Sequence, residues 1–220
     1  MNTPATFRRP SPDDLVSPAN SLNNLDSPLL FQALNLANEA HFGQRRKVSG
    51  APYLIHPLNV ANILLEYGFP ADPFGVAALL HDTVEDTYVT VALIRESFGE
   101  EIASMVERVS HPDKDMSWWD RRVHAVDGLR QAPDNVLVLA CADKLDNLSS
   151  IRRDLSRLGD SVWDKFRAPR DMQAWYYRSL AEVFLSRRGN GGAAARLFDA
   201  FGDEVTRMFG RGTPACAGLY

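Results

Sequence analysis

The chain has 220 residues, 45% of them apolar and 24% charged, with a formal net charge of −4. That balance is globular and long enough for a substantial core, and its acidic side argues against a general nucleic-acid binder. Two cysteines, Cys141 and Cys216, exclude a disulfide scaffold, and the chain shows neither an N-terminal signal nor a run of eighteen apolar residues, so the expectation is a cytoplasmic protein with no membrane contact.

Residues 1–26 are rich in Pro, Ser, Asn and Asp and read as a flexible tail. Ser27-Pro28 then reads as an N-cap followed by proline at the first helical position, with Leu30, Leu34, Ala37 and His41 on one face behind it. Strand-like alternation is confined to one candidate short β-hairpin near residues 48–54. Helical periodicity returns over 57–67 through Val60, Ile63 and Leu64, and Gly68 ends it. Asp72-Pro73 opens a helix carrying Ala77, Leu80 and His81. Thr90 caps a helix that Gly99 breaks after Phe98, and Ile102, Met105, Val106 and Val109 continue the pattern. Helices over 118–129, 134–155, 169–185 and 193–209 complete the series, before a second flexible tail at 211–220. The expectation is one all-α domain over 27–210, built from roughly eight to ten helices.

The chemistry concentrates where apolar runs end in polar residues. Val76-Ala77-Ala78-Leu79-Leu80 stops abruptly at His81-Asp82, followed by Thr83-Val84-Glu85-Asp86-Thr87. Two readings stand at this point: a capped helix end with a packed histidine, or two metal ligands facing a cavity. Two distant segments add to the second. His56 lies between Pro52 and Pro57, where the chain is stiffened on both sides. Asp143 follows the uncharged run Val136-Leu137-Val138-Leu139-Ala140-Cys141-Ala142, and carboxylates are seldom buried without a partner. Two imidazoles and two carboxylates suit a borderline divalent ion, and four protein ligands on a six-coordinate metal leave two positions open. Glu85 and Asp86 lie four residues beyond His81 and Asp82, so a continued helical turn returns them to the same face. Asn147 is related to Asp143 in the same way.

The order His56, His81-Asp82, Asp143 resembles that of the HD-domain metal-dependent phosphohydrolases. The motifs HxGQxRK (41–47), PYLIHP, ALLHDTVEDT and ADKLDNL more narrowly resemble the hydrolase domain of the RelA/SpoT alarmone enzymes, over about residues 29 to 185. The resemblance implies an HD-type helical bundle, a Mn²⁺ ion on His56, His81, Asp82 and Asp143, and removal of pyrophosphate from the 3′ position of (p)ppGpp to give GDP or GTP. It places Glu85 and Asp86 at the attacking water as catalytic residues, a role of the kind worth about 10²- to 10⁴-fold in rate. It also places Arg46 and Lys47 against the base and nearby phosphate, and Asn147 and Ser150 near the ribose. No synthetase segment is visible, so the expectation is a small stand-alone hydrolase of a nucleotide, with a homo-oligomer left open.

One departure affects specificity. Family members often read RKSG, whereas this chain reads Arg46-Lys47-Val48-Ser49-Gly50, one residue longer. That leaves two alternatives: a phosphohydrolase of the same fold acting on adenosine alarmones or NADPH, and a nucleotide-binding or immunity protein. His41 reads as a hydrogen-bonded core histidine, Trp118, Trp119 and 175–177 as packing aromatics, and Arg45, Arg121, Arg122, Arg152 and Arg153 as solvated charge. His111 and His124 receive no metal role.

Overall fold

The computed structural model describes residues 27–110 and 115–212. The expected tails therefore lie outside the described residues, apart from 211 and 212, and so do His111 and Cys216. Among the described residues the regular structure is helical: α1 (Pro28–Ala40), α2 (Ile55–Glu66), α3 (Val76–Leu80), α4 (Thr83–Asp86), α5 (Val91–Phe98), α6 (Glu100–Val109), α7 (Trp118–Arg130), α8 (Asp134–Leu158), α9 (Arg170–Ser186) and α10 (Gly192–Phe209). The candidate β-hairpin reduces to a single antiparallel bridge between Arg45 and Pro52. Arg46 N donates to Ala51 O at 2.9 Å and Tyr53 N to Gln44 O at 3.0 Å, but Gln44 N donates to His41 O and Ala51 N to Ser49 Oγ, so the ladder goes no further.

Local signals explain most boundaries. Ser27 Oγ accepts from Leu30 N at 3.1 Å and donates to Asp72 at 2.8 Å, so one hydroxyl caps α1 and ties it to the turn before α3. Thr90 caps α5 through Leu93 N, and Gly99, at φ +89°, separates α5 from α6. Two boundaries differ from expectation. Helix α2 starts at Ile55, so His56 lies inside its first turn, where Pro57 is tolerated because those N–H groups lack helical partners anyway. Asp72 has extended dihedrals (φ −104°, ψ 125°), and a π-helical turn over Ala71–Gly75 precedes α3.

The core is centred on α3 and α8. Every residue of α3 is buried, and α3 packs against α1, α2 and α6. Helix α8 has 25 residues, about 37 Å at 1.5 Å per residue, and packs against α2, α6 and α10. Its Val136–Ala142 segment is wholly buried. Phe184, Phe198 and Phe201 fill the space between α9 and α10, with Phe184 and Phe201 edge to face at 5.1 Å. The start of α2, the end of α3 and the middle of α8 are thereby fixed against one another by apolar packing.

Candidate active site

His56, His81, Asp82 and Asp143 meet where those three helices converge. His81 Nε2 lies 3.0 Å from Asp82 Oδ2 and 3.7 Å from Asp143 Oδ1; His56 Nε2 lies 3.5 Å from Asp82 Oδ2 and 3.2 Å from Asp143 Oδ1. Atoms of His56, His81 and Asp82 all fall within 4.8 Å of one another. Both imidazoles have an acceptor on the opposite nitrogen: His56 Nδ1 is 2.7 Å from Asp146 Oδ2, and His81 Nδ1 is 2.7 Å from Ala78 O. A proton on each Nδ1 leaves both Nε2 lone pairs aimed at one point, the usual arrangement for metal-ligating histidine. His81 Nε2 is buried and makes no hydrogen bond of acceptable geometry among the described residues. This donor set suits a divalent metal.

Neighbouring groups tune these four side chains. Burial disfavours charge on the two imidazoles, but Asp143 and Asp146 raise His56, and Asp82 and Asp143 raise His81, above the usual histidine value. Burial likewise opposes ionisation of Asp143, yet Lys144, whose Nζ is 2.6 Å from Oδ2, and the imidazoles hold its carboxyl well below the usual range. Tyr53 donates its hydroxyl to Asp82 Oδ2 at 2.6 Å; burial, then the Asp82 charge, keep that phenol protonated far above its ordinary value. Asn147 Nδ2 donates to Asp143 Oδ1 at 2.6 Å while its Oδ1 accepts from Arg46 at 3.3 Å.

The remaining expected residues line the adjoining space. A cleft of about 760 Å³ is bordered by Arg46, Lys47, Glu85, Asp86, Asn147 and Ser150. A smaller pocket of about 180 Å³ shares Glu85, Asp86 and Asn147 with it and reaches Asp82 and Asp143. The turn does nearly continue through the HD pair: Asp86 N donates to Asp82 O at 3.0 Å, which carries Glu85 and Asp86 onward to the cavity. Arg46 is half-buried, 6.0 Å from the Tyr53 ring centroid and 3.9 Å from Asp146. Val48 and Ser49 sit in the turn that Gly50, at φ +69°, closes through Gly50 N to Arg46 O.

Several functional candidates escaped the sequence reading. Asp146 is buried and holds His56; its position three residues after Asp143 was the available signal. Arg121, Arg122, Trp118 and Tyr176, read as surface charge and packing, line the cleft. His41 is buried with Nδ1 2.8 Å from Gln44 Oε1, and Gln44 Nε2 donates to Asp86 O. Arg152 pairs with buried Glu204, and Arg153 reaches Asp146 at 3.7 Å.

An HD domain model matches residues 33–173. The chain belongs to the HD-domain family. Within this family, the chain is 36% identical over 166 residues to the Xenopus tropicalis guanosine-3′,5′-bis(diphosphate) 3′-pyrophosphohydrolase MESH1, covering 74% of this chain and 87% of that protein. A Listeria monocytogenes structure, lmo0812, superposes with TM-score 0.63 at 37% identity, covering 74% of this chain and 99% of that one. The structure of a metazoan orthologue of SpoT, described as hydrolysing ppGpp, superposes with TM-score 0.66 at 26% identity, covering 82% and 95%. His56, the His81-Asp82 pair and Asp143 thus come from α2, the α3–α4 junction and α8. No helix among the described residues is long and apolar enough to cross a membrane.

Proposed function

We propose that this chain is a metal-dependent (p)ppGpp 3′-pyrophosphohydrolase that releases pyrophosphate and leaves GDP or GTP. The observation that carries the reading is the convergence of His56, His81, Asp82 and Asp143 on one point beside a cleft edged by Glu85, Asp86 and a group of cations. The chemistry a divalent ion supplies when held there is Lewis acidity: it polarises a phosphoryl oxygen and acidifies water. We assign Mn²⁺, although the mixed nitrogen and oxygen donors also accommodate other borderline divalent ions.

The chain's own residues account for the rest. Glu85 and Asp86 hold the attacking water and take its proton, which returns to the departing ribose 3′ oxygen. The water oxygen joins the adjacent phosphorus as the bond to that 3′ oxygen breaks. Arg46 presents a guanidinium plane to the base, and its bond to Asn147 keeps it near the ribose side. Lys47 and Ser150 border the same cleft and bind the nucleotide. Tyr53 and Asn147 fix the orientation of Asp82 and Asp143 through hydrogen bonds.

The test is incubation of purified protein with ppGpp and Mn²⁺, following GDP and pyrophosphate. Turnover lost in Asp82→Ala and Asp143→Ala together with bound metal supports the reading; no turnover by metal-loaded wild type refutes it. A second reading, preference for an adenine nucleotide, is favoured by the extra residue in the turn after Arg46. Comparing kcat/KM for guanine and adenine substrates decides between them.

A further inference from the structure

We infer that Gln44, held by His41, is a positioning residue that clamps the far end of the turn carrying Glu85 and Asp86. The inference rests on the proposed reaction, which puts the groups that handle the attacking water on that turn. Of the motif over 41–47, Arg46 and Lys47 have a use in that reading, whereas His41 and Gln44 have none.

Hydrogen-bond chemistry fixes the direction of the contacts. Gln44 lies 3.0 Å from Asp86 O through its amide nitrogen and 2.8 Å from His41 Nδ1 through its amide oxygen. A carbonyl only accepts, so the amide nitrogen faces Asp86 and the amide oxygen faces the imidazole. His41 then carries its proton on Nδ1 and donates it to Gln44 Oε1. His41 is buried at the end of α1, where its backbone N–H is bonded to Ala37 O, and Gln44 N donates to His41 O at 3.0 Å. Backbone and side chain thus both tie Gln44 to a packed histidine.

The clamped element has little stability of its own. Helix α4 is four residues long, and Thr87 leaves it with extended dihedrals (φ −138°, ψ −168°). A single turn gains few hydrogen bonds for the residues it orders, and the last carbonyls of a helix find no further helical N–H. Gln44 Nε2 supplies a donor there from 42 residues away. At the other end of the turn, Tyr53 donates to Asp82 Oδ2 at 2.6 Å, and its ring lies 4.8 Å from that of His41. Tyr53 N also donates to Gln44 O, which joins the two grips. One contact orients a carboxylate of the metal cluster; the other fixes the end from which Glu85 and Asp86 reach the cavity. Misplacing a reacting group by about 1 Å can cost about 10²-fold in rate, so loosening this turn lowers turnover without removing metal or substrate.

The experiment uses the full-length, metal-loaded protein as wild type, Gln44→Met, Gln44→Glu, His41→Leu and His41→Asn. Each is compared by steady-state kinetics on ppGpp, metal analysis and amide hydrogen exchange over residues 83–87. Gln44→Met, which keeps the length and loses both bonds, should lower kcat by about ten-fold or more, with KM and metal content near wild type. Gln44→Glu keeps the acceptor for His41 and loses the donor to Asp86 O, so it should fall as far; a role confined to satisfying His41 predicts no loss there. His41→Leu should follow Gln44→Met, and His41→Asn, whose amide nitrogen takes the place of Nδ1, should recover most of the rate. The amides of Asp86 and Thr87, bonded to Asp82 O and Thr83 O at 3.0 Å, should exchange faster in both Gln44 variants. If a His41 variant does not fold, the Gln44 pair decides. Wild-type kcat in folded Gln44→Met and Gln44→Glu overturns the clamp, and so does lost turnover with unchanged exchange. Gln44 borders the cleft, so a rise in KM alone makes it a substrate contact and overturns the clamp as well. Exchange that depends on Gln44, with no ppGpp turnover by wild type, keeps the clamp and refutes the proposed reaction.

Discussion

Asp146 offers a sharp test of how this site presents its ligands. Its carboxylate lies 2.7 Å from His56 Nδ1 through Oδ2 and accepts from Asn59 Nδ2 at 3.0 Å through Oδ1. Asp146→Ala removes the acceptor that holds the proton on Nδ1 and aims Nε2 at the metal. Loss of such an outer partner typically lowers metal affinity by 10- to 100-fold, or about 1.4 to 2.7 kcal/mol. Asp146 also helps to raise the His56 pKa, so its removal weakens proton competition and partly offsets the loss at low pH. The deficit relative to wild type should therefore widen as pH rises. Asp146→Asn, which keeps an acceptor near Nδ1, should fall between the two. The assay is metal titration by calorimetry at several pH values, with metal-free melting curves to confirm folding. Wild-type affinity in folded Asp146→Ala at every pH would refute the orienting role.

Three further outcomes follow from the same geometry. Glu85→Gln should lower kcat by about 10²-fold or more while KM and bound metal stay near wild type, because its carboxylate acts in the chemical step; steady-state kinetics with metal analysis reads this, and a rise in KM alone would move the role to Asp86. Arg46→Ala should chiefly raise KM and weaken base discrimination, and Arg46→Lys should recover little, since lysine lacks the planar fork that reaches Asn147 and Asp146; a guanine–adenine substrate panel checks it. Because the folded pKa values of His56 and His81 are raised, their protonation stabilises the metal-free protein most below about pH 6.5, and this is lost as pH rises through the folded values. Metal, which needs neutral imidazoles, should bind more tightly over the same rise, so the melting-temperature gap between metal-loaded and metal-free protein should widen from acid to mildly alkaline pH.

What the sequence makes legible here is what lies close along the chain. Ser27 and Thr90 cap helices because a cap and its N–H partner are three residues apart, and Asp143 bonds Asn147 because i and i+4 share a helical face. The ends of the apolar runs in α3 and α8 mark where buried backbone meets a polar cavity, so His81 and Asp143 stand out before any fold is known. His56 lay inside α2 rather than before it, since a proline in the first turn reads the same whether the helix begins at it or two residues earlier. Partners brought together by packing leave no such trace. Tyr53 to Asp82 spans 29 residues and His56 to Asp146 spans 90, and neither spacing has a period to detect.

Arg121 and Arg122 show why the least legible part of the site was its cationic wall. A pair of adjacent arginines on a helix is most economically read as solvated, since charge is rarely buried unless paired. Here the aromatic rings of Trp118 and Tyr176 cover Arg122, and only Trp118, four residues before it, is its neighbour along the chain. Packing of α7 against α9 brings the Tyr176 ring against Arg122. The sequence supplies the charges, but only the fold shows that Arg121 and Arg122 are half-buried along the cleft.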